Sequence, residues 1–156
     1  MKRNKLEACK QDLLSTYKEQ LCNESVASIK AAQTPEEFVN ILHEFDTFLM
    51  YQALPDAEWS RKWFLGEKPL LNKCGVYLDQ VVSINNPECR KLILMGDSHV
   101  TLTCSTPNIF NISLQECSTL NLITVGVTSV TVREKGTGKA NILLRSKQSI
   151  IKIHKI

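Results

Sequence analysis

Six cysteines (Cys9, Cys22, Cys74, Cys89, Cys104, Cys117) and three histidines (His43, His99, His154) are the residues of this chain whose types suit metal binding or nucleophilic chemistry. Their spacing does not gather them. No C-x-x-C pair occurs and the histidines lie far from any cysteine cluster, so no metal or cofactor is expected. Cys104 and Cys117 have no histidine base beside them by spacing. Cys104 falls at an inward position shared with Leu114 and Leu144, where a small buried hydrophobe is expected. The stretch EKGTGKANILL brings Gly136, Gly138 and Lys139 together. A phosphate-cradling loop needs a longer run before its Gly-Lys pair and a Ser or Thr after it, whereas Ala140 follows here, so a β-turn is expected.

The stretch KLILMGDSHV runs an apolar strand into Gly96-Asp97-Ser98. It is similar to the first block of the SGNH (GDSL-type) hydrolases, a resemblance that implies Ser98 as a nucleophile at a strand end. That chemistry requires a histidine base, normally with an aspartate about three residues before it, and oxyanion donors from separate loops. This chain has no aspartate after Asp97, His154 follows Ile151, and HVTLT after Ser98 reads as β where that fold needs a helix. Gly-Asp-Ser is therefore expected to form the turn that opens a repeat. Serine hydrolysis stays as the third reading of function, behind two non-enzymatic ones.

Charge supplies the second of those. Residues 1–90 carry 11 basic and 13 acidic groups, net −2, while residues 91–156 carry 8 and 3, net +5. The excess sits late, in Arg133, Lys135, Lys139, Arg145, Lys147, Lys152 and Lys155, which could meet nucleic-acid phosphates, an anionic surface or an acidic partner. No Phe, Tyr or Trp follows Phe110, so the aromatic platforms of single-strand binding are missing, and charged gatekeepers on an exposed edge account for the cluster equally well. The N-terminus runs charged and polar from Lys2 to Lys5 with no apolar core after it, unlike a signal peptide, so reduced thiols in a cytoplasmic protein are expected. The longest apolar runs fall far short of a membrane span, and no membrane partner is expected.

The elements that must carry these residues change character along the chain. At 156 residues it fits one domain or two small units sharing a core. Leu6, Cys9, Leu13, Tyr17 and Leu21 line one face of a helix expected to end near Asn23. Thr34-Pro35-Glu36-Glu37 offers an N-cap, a first-turn proline and a capping-box glutamate, followed by an apolar stripe of Phe38, Ile41, Leu42, Phe45, Phe48 and Leu49. Pro55 ends it, and Asp56 caps a short helix with Trp59 and Trp63 that Gly66 stops. Phe45, Phe48, Trp59 and Trp63 are expected to form the packing layer. Residues 1–66 thus read as a helical region, and 67–90 as a connector with two strands, Val76 to Leu78 and Val81 to Ile84.

Residues 91–156 repeat themselves. Val100, Phe110, Leu120, Val130, Ala140 and Ile150 recur every tenth residue, as do Leu102, Ile112, Leu122, Val132 and Ile142, while Thr101, Asn111, Asn121, Thr131 and Asn141 lie between them. Period two within a unit marks a strand with one buried face, and the ten-residue period makes each unit a strand plus a turn at Ser98, Asn108, Ser118, Thr128 and Gly138. Six such units fit a flattened β-solenoid of two units per coil, or an antiparallel meander curling into a sandwich. Strict register favours the solenoid, with Asn and Thr ladders along the stack and the N-terminal helices capping its first coil, in an α+β fold. The last strand, SIIKIHKI, changes phase and leaves an edge where Ile150, Ile151, Ile153 and Ile156 add apolar surface, so a homo-oligomer joined through it is expected.

The order FDTFLMYQALPDAEWSRKWF, NKCGVYLD, RKLILMGDSHVTLT and the short-period β tail resembles a family of small uncharacterised proteins of prophages and mobile elements of gut bacteria, over roughly residues 45–150. The resemblance implies helices first, a repetitive β part after them, no assigned activity, and a cytoplasmic or virion-associated place. Together these readings favour a non-enzymatic structural or protein-interaction protein, with nucleic-acid or anionic-surface binding as the alternative.

Overall fold

The computed structural model of the chain, which describes residues 1–44 and 55–156, has a helix where Thr34-Pro35-Glu36-Glu37 demands one. Ahead of α3 (Pro35–Glu44), Thr34 Oγ1 accepts from Glu37 N at 3.1 Å and Glu37 Oε2 accepts from Thr34 N at 3.2 Å, which closes the capping box. Asp56 Oδ1 accepts from Trp59 N at 2.8 Å and starts α4 (Ala57–Phe64). Of the expected aromatic layer, Trp59 is buried and Trp63 is half-buried, its Nε1 donating to Asp12 Oδ2 at 2.7 Å. Phe45 and Phe48, with Leu49, lie outside the described residues. Phe64 joins the layer in addition, its ring centroid 6.3 Å from Phe38 and 6.1 Å from Trp59.

The helices depart from expectation in two places. The first, α1 (Arg3–Thr16), ends before Tyr17 rather than near Asn23, and α2 (Asn23–Ala31) begins where the first was expected to stop. The two helices are tied together by Lys10, a buried lysine of α1 whose Nζ donates to the carbonyls of Lys30 and Ala32 at 2.9 Å each. It satisfies carbonyls at the C-terminal end of α2, and the chain must turn back between the helices for it to reach them. Cys22 caps α2, its Sγ accepting from Ser25 N at 3.4 Å. The other departure is α5 (Lys68–Lys73), with Pro69 in its first turn, which fills a stretch expected to be loose.

The chain divides into two compact units, Met1–Cys74 and Gly75–Ile156. The second holds strands β1 (Val76–Leu78), β2 (Val81–Asn85), β3 (Lys91–Met95), β4 (His99–Cys104), β5 (Asn108–Leu114), β6 (Thr119–Thr124), β7 (Thr128–Glu134), β8 (Lys139–Arg145) and β9 (Ile150–Lys155). Odd-numbered strands form one sheet in sequence order and β2 to β8 the other, with every pairing parallel. This is a flattened β-solenoid of about four turns, and parallel pairing rules out the meander. The ten-residue period is half a coil, so Val100, Leu120 and Ala140 stack in register. The strands expected in a connector belong to the stack, β1 on β3 and β2 on β4, so the solenoid starts at Val76 rather than at residue 91.

The space between the sheets is filled by one cluster that includes Leu92, Leu94, Leu102, Phe110, Ile112, Leu114, Leu122 and Val132. Corners close each half-coil. Ser98 and Ser118 are fully buried there, and Gly138, next in the same column, sits where a Cβ would be a tight fit, 3.0 Å from Leu114 O. Two places before them the chain takes a left-handed conformation, at Gly96 (φ 66°), Glu116 (φ 56°) and Gly136 (φ 69°). On the outer face Asn141 Nδ2 donates to Asn121 Oδ1 at 3.1 Å, one rung of the expected ladder.

One irregularity corrects the end of the pattern. Leu122 pairs with Ile142 but Ile123 pairs with Leu144, so Leu143 is an extra, bulged residue. Everything after it moves by one place. Ile151 and Ile153, not Ile150 and Lys152, stand over Val130 and Val132, and Ile150 is 56% exposed. Leu144, expected inward like Cys104 and Leu114, is 55% exposed, while the column of Cys104 continues through Thr124 to Arg145. Ile142 keeps its register over Leu122 yet is 44% exposed, because β8 is the edge of its sheet.

Candidate interaction site

The Gly-Asp-Ser stretch forms a corner. Ser98 Oγ, with no exposed surface, shares its one proton between the carbonyls of Met95 at 2.8 Å and Tyr77 at 2.9 Å, and accepts from Gln80 N at 3.4 Å. Ser149 repeats the bond one corner type later, Oγ to Ser146 O at 2.8 Å. A hydroxyl whose proton goes to backbone carbonyls holds the chain at its turn. His99 Nε2 lies 3.1 Å from Asp97 Oδ1 on the exposed side of the same corner, and His154 sits on β9 opposite Arg133. Gly136 to Gly138 make a turn of the same kind, with Gly138 N donating to Lys135 O at 3.3 Å and Thr137 Oγ1 to Glu116 O at 2.9 Å.

None of the six cysteines is in a disulfide. Burial pushes the Cys104 thiol up to about 11, which keeps it neutral and unreactive at physiological pH. Cys117 is exposed at a corner, with Thr137 Oγ1 at 3.5 Å from its sulfur. Among the described residues no three His, Cys, Asp or Glu side chains lie close enough to hold a metal ion, and no helix is long and apolar enough to cross a membrane.

The late basic residues do not converge. Arg133 and Lys152 stand on the outer face of the odd-numbered sheet, where β7 and β9 alternate outward at Thr131 beside Lys152 and Arg133 beside His154. Lys139 is on the opposite outer face, since its neighbour Ala140 packs inward. Lys135 and Lys147 are at corners, and Arg145 folds back to donate from Nη2 to Ser149 O at 3.2 Å. Lys155 ends the column of Leu114 and Glu134. A single cationic surface is not built.

Apolar surface, by contrast, is concentrated on the last coil. Ile142, Leu143, Leu144, Ile150, Ile153 and Ile156 are all exposed along or beside the unpaired sides of β8 and β9. Of the four expected oligomer contacts, Ile150, Ile153 and Ile156 belong to this surface, while Ile151 packs against the core. Sequence reasoning missed Ile142, Leu143 and Leu144, and the signal was there in three consecutive apolar residues that break a strict alternation. A groove of about 510 Å³ crosses the end of the stack, with Lys139 and Ala140 on one side and Ile153, Lys155 and Ile156 on the other.

The two edges differ in what they offer. On β8 the N–H groups facing β6 are fixed by Lys139 N donating to Ser118 O at 2.9 Å, so the N–H of Ala140 faces away, and there Glu134 Oε1 accepts it at 2.7 Å. A carboxylate thus stands in for the next coil's carbonyl. On β9, Ile156 N donates to Glu134 O at 3.0 Å, which turns the N–H groups of Ile151, Ile153 and Lys155 to the unpaired side. No family model, curated protein or solved structure matches the chain.

Proposed function

We propose that the protein is a non-enzymatic interaction scaffold, a β-solenoid that presents its last coil as the contact surface for another polypeptide, a second copy of the chain included. The observation that carries this is the exposure of Ile142, Leu143, Leu144, Ile150, Ile153 and Ile156 on a coil whose two strands, β8 and β9, are sheet edges, whereas β3 to β7 pair on both sides. Exposed apolar surface beside free backbone N–H and C=O groups is what strand-adding partners use. The buried corner role of Ser98 supports the absence of hydrolysis, and the division of the basic residues between two outer faces weighs against a nucleic-acid surface.

A photo-crosslinking residue at position 153 tests the reading against the same residue at position 101, which lies on the outer face of a central strand. Adducts to a copy or to another protein are expected from 153 and not from 101. Equal yields from both sites, or none from either, would refute the assignment. A fluorophosphonate probe is expected to leave Ser98 unlabelled.

A further inference from the structure

We infer that the partner of the last coil is an extended acidic segment of another protein, with apolar residues alternating with Asp or Glu, that adds to β9 as the next strand of the odd-numbered sheet. The inference rests on the reading of this coil as a contact surface and names what occupies it.

The choice of edge comes first. β8 is blunted by the Leu143 bulge and by the Glu134 carboxylate on Ala140 N. β9 is straight, in unbroken register with β7 from Ser129 beside Ile150 to Glu134 beside Lys155, and the N–H groups of Ile151, Ile153 and Lys155 face outward along the stack. A strand arriving there meets a regular row of donors and acceptors.

Side chains then set its pattern. Ile151 and Ile153 continue the inward columns of Val130 and Val132, so every second residue of the incoming segment covers them and must be apolar. The residues between fall beside Lys152 and His154 on the outer face, next to Arg133. Opposite charges side by side across strands are favourable and like charges are not.

Charge selects the class of partner. Residues 135–156 contain Lys135, Lys139, Arg145, Lys147, Lys152 and Lys155 and no Asp or Glu, and the acidic residue just before them in sequence, Glu134, is engaged on the edge of β8. A second copy joined coil end to coil end would bring these cations against one another. A nucleic acid would answer the charges but leave the row of N–H groups and the isoleucines without partners, and Lys139 faces away from Arg133 and Lys152. An acidic, alternately apolar strand on β9 meets Lys152, the row of N–H groups and the isoleucines together.

The test uses the full chain and two short fluorescent peptides, one alternating valine with glutamate and one alternating valine with lysine, followed by anisotropy. The acidic peptide is expected to bind saturably, about tenfold more tightly than the basic one, and more weakly as salt rises. Lys152→Glu should reverse the preference. Ile153→Pro removes one outward N–H while leaving the bonds to β7 intact, and should weaken the acidic peptide about tenfold with little change in melting temperature. Equal affinity for both peptides, or no binding of the acidic one, overturns the proposal. So does a thymidine oligonucleotide that binds ahead of the peptide, or a chain that self-associates through this coil and is not dispersed by it. Crosslinks from position 153 without acidic-peptide binding would sink this inference and spare the contact surface. Absence of both would sink the two together.

Discussion

Leu122 and Ile142 occupy the same column, one coil apart, and differ in having a further coil above them. Leu122 is buried between both sheets, so Leu122→Ala is expected to cost about 2–5 kcal/mol in chemical denaturation, as cavities in packed cores do. Ile142→Ala, with half its surface already in solvent, should cost under about 1 kcal/mol. Equal costs would contradict the register. Glu116 offers the opposite change. It holds a left-handed backbone at a corner where Gly96 and Gly136 hold the same conformation in the neighbouring coils. Relief of that strain exceeds the entropy a glycine loses on folding, so Glu116→Gly should raise stability by about 0.5 kcal/mol. A thermal melt that moves downward would show that Glu116 is held by more than its backbone.

Among the elements, β8 carries the most consequence, because its bulge ends the flat edge of its sheet. Deleting Leu143 removes the extra residue yet leaves Ile151 over Val130, since the shift it introduces lies before β9. The shortened chain should keep its circular dichroism and aggregate faster than the parent by light scattering, as straightened edges do. Aggregation no faster than the parent's would remove the protective role from the bulge. The same residue marks how far the sequence could be read. The columns from Leu102 to Val132 were legible because alternation and a fixed period left no other phase. The last coil was not, because Ile142, Leu143 and Leu144 are all apolar and hydropathy alone does not say which one is extra. The helices follow the same logic. Thr34 and Asp56 announce their helices with oxygen acceptors, whereas α2 is capped by a thiol, a weak acceptor that no start signal includes. Lys10 was unreadable because its partners are backbone carbonyls of another helix. Of the contact surface, the isoleucines of β9 were legible from their alternation, and Glu134 as a cover for Ala140 N was not.

For the β unit as a whole, stability is a sum over neighbouring coils, so a coil with one neighbour is held less than a coil with two. Amide hydrogen exchange should be slowest in β4 to β6 and quicken through β8 to β9, with an acidic peptide slowing β9 more than β4. Uniform protection from β4 to β9 would mean that the last coil is as firmly held as the centre and has less to gain from a partner. A graded body of this kind keeps its scaffold fixed while the coil that meets other chains can adjust to them.

Residues twenty places apart occupy equivalent positions in successive coils, from Val100 to Leu120 and from Phe110 to Val130. A gene event that copies one such segment in frame therefore inserts a layer whose floor and ceiling already fit. Each insertion lengthens the β unit by about 4.8 Å, the spacing of paired strands, and leaves the first and last coils as they were. The distance between the two ends of the stack is in this way an inherited quantity that changes in whole steps, independently of what either end binds.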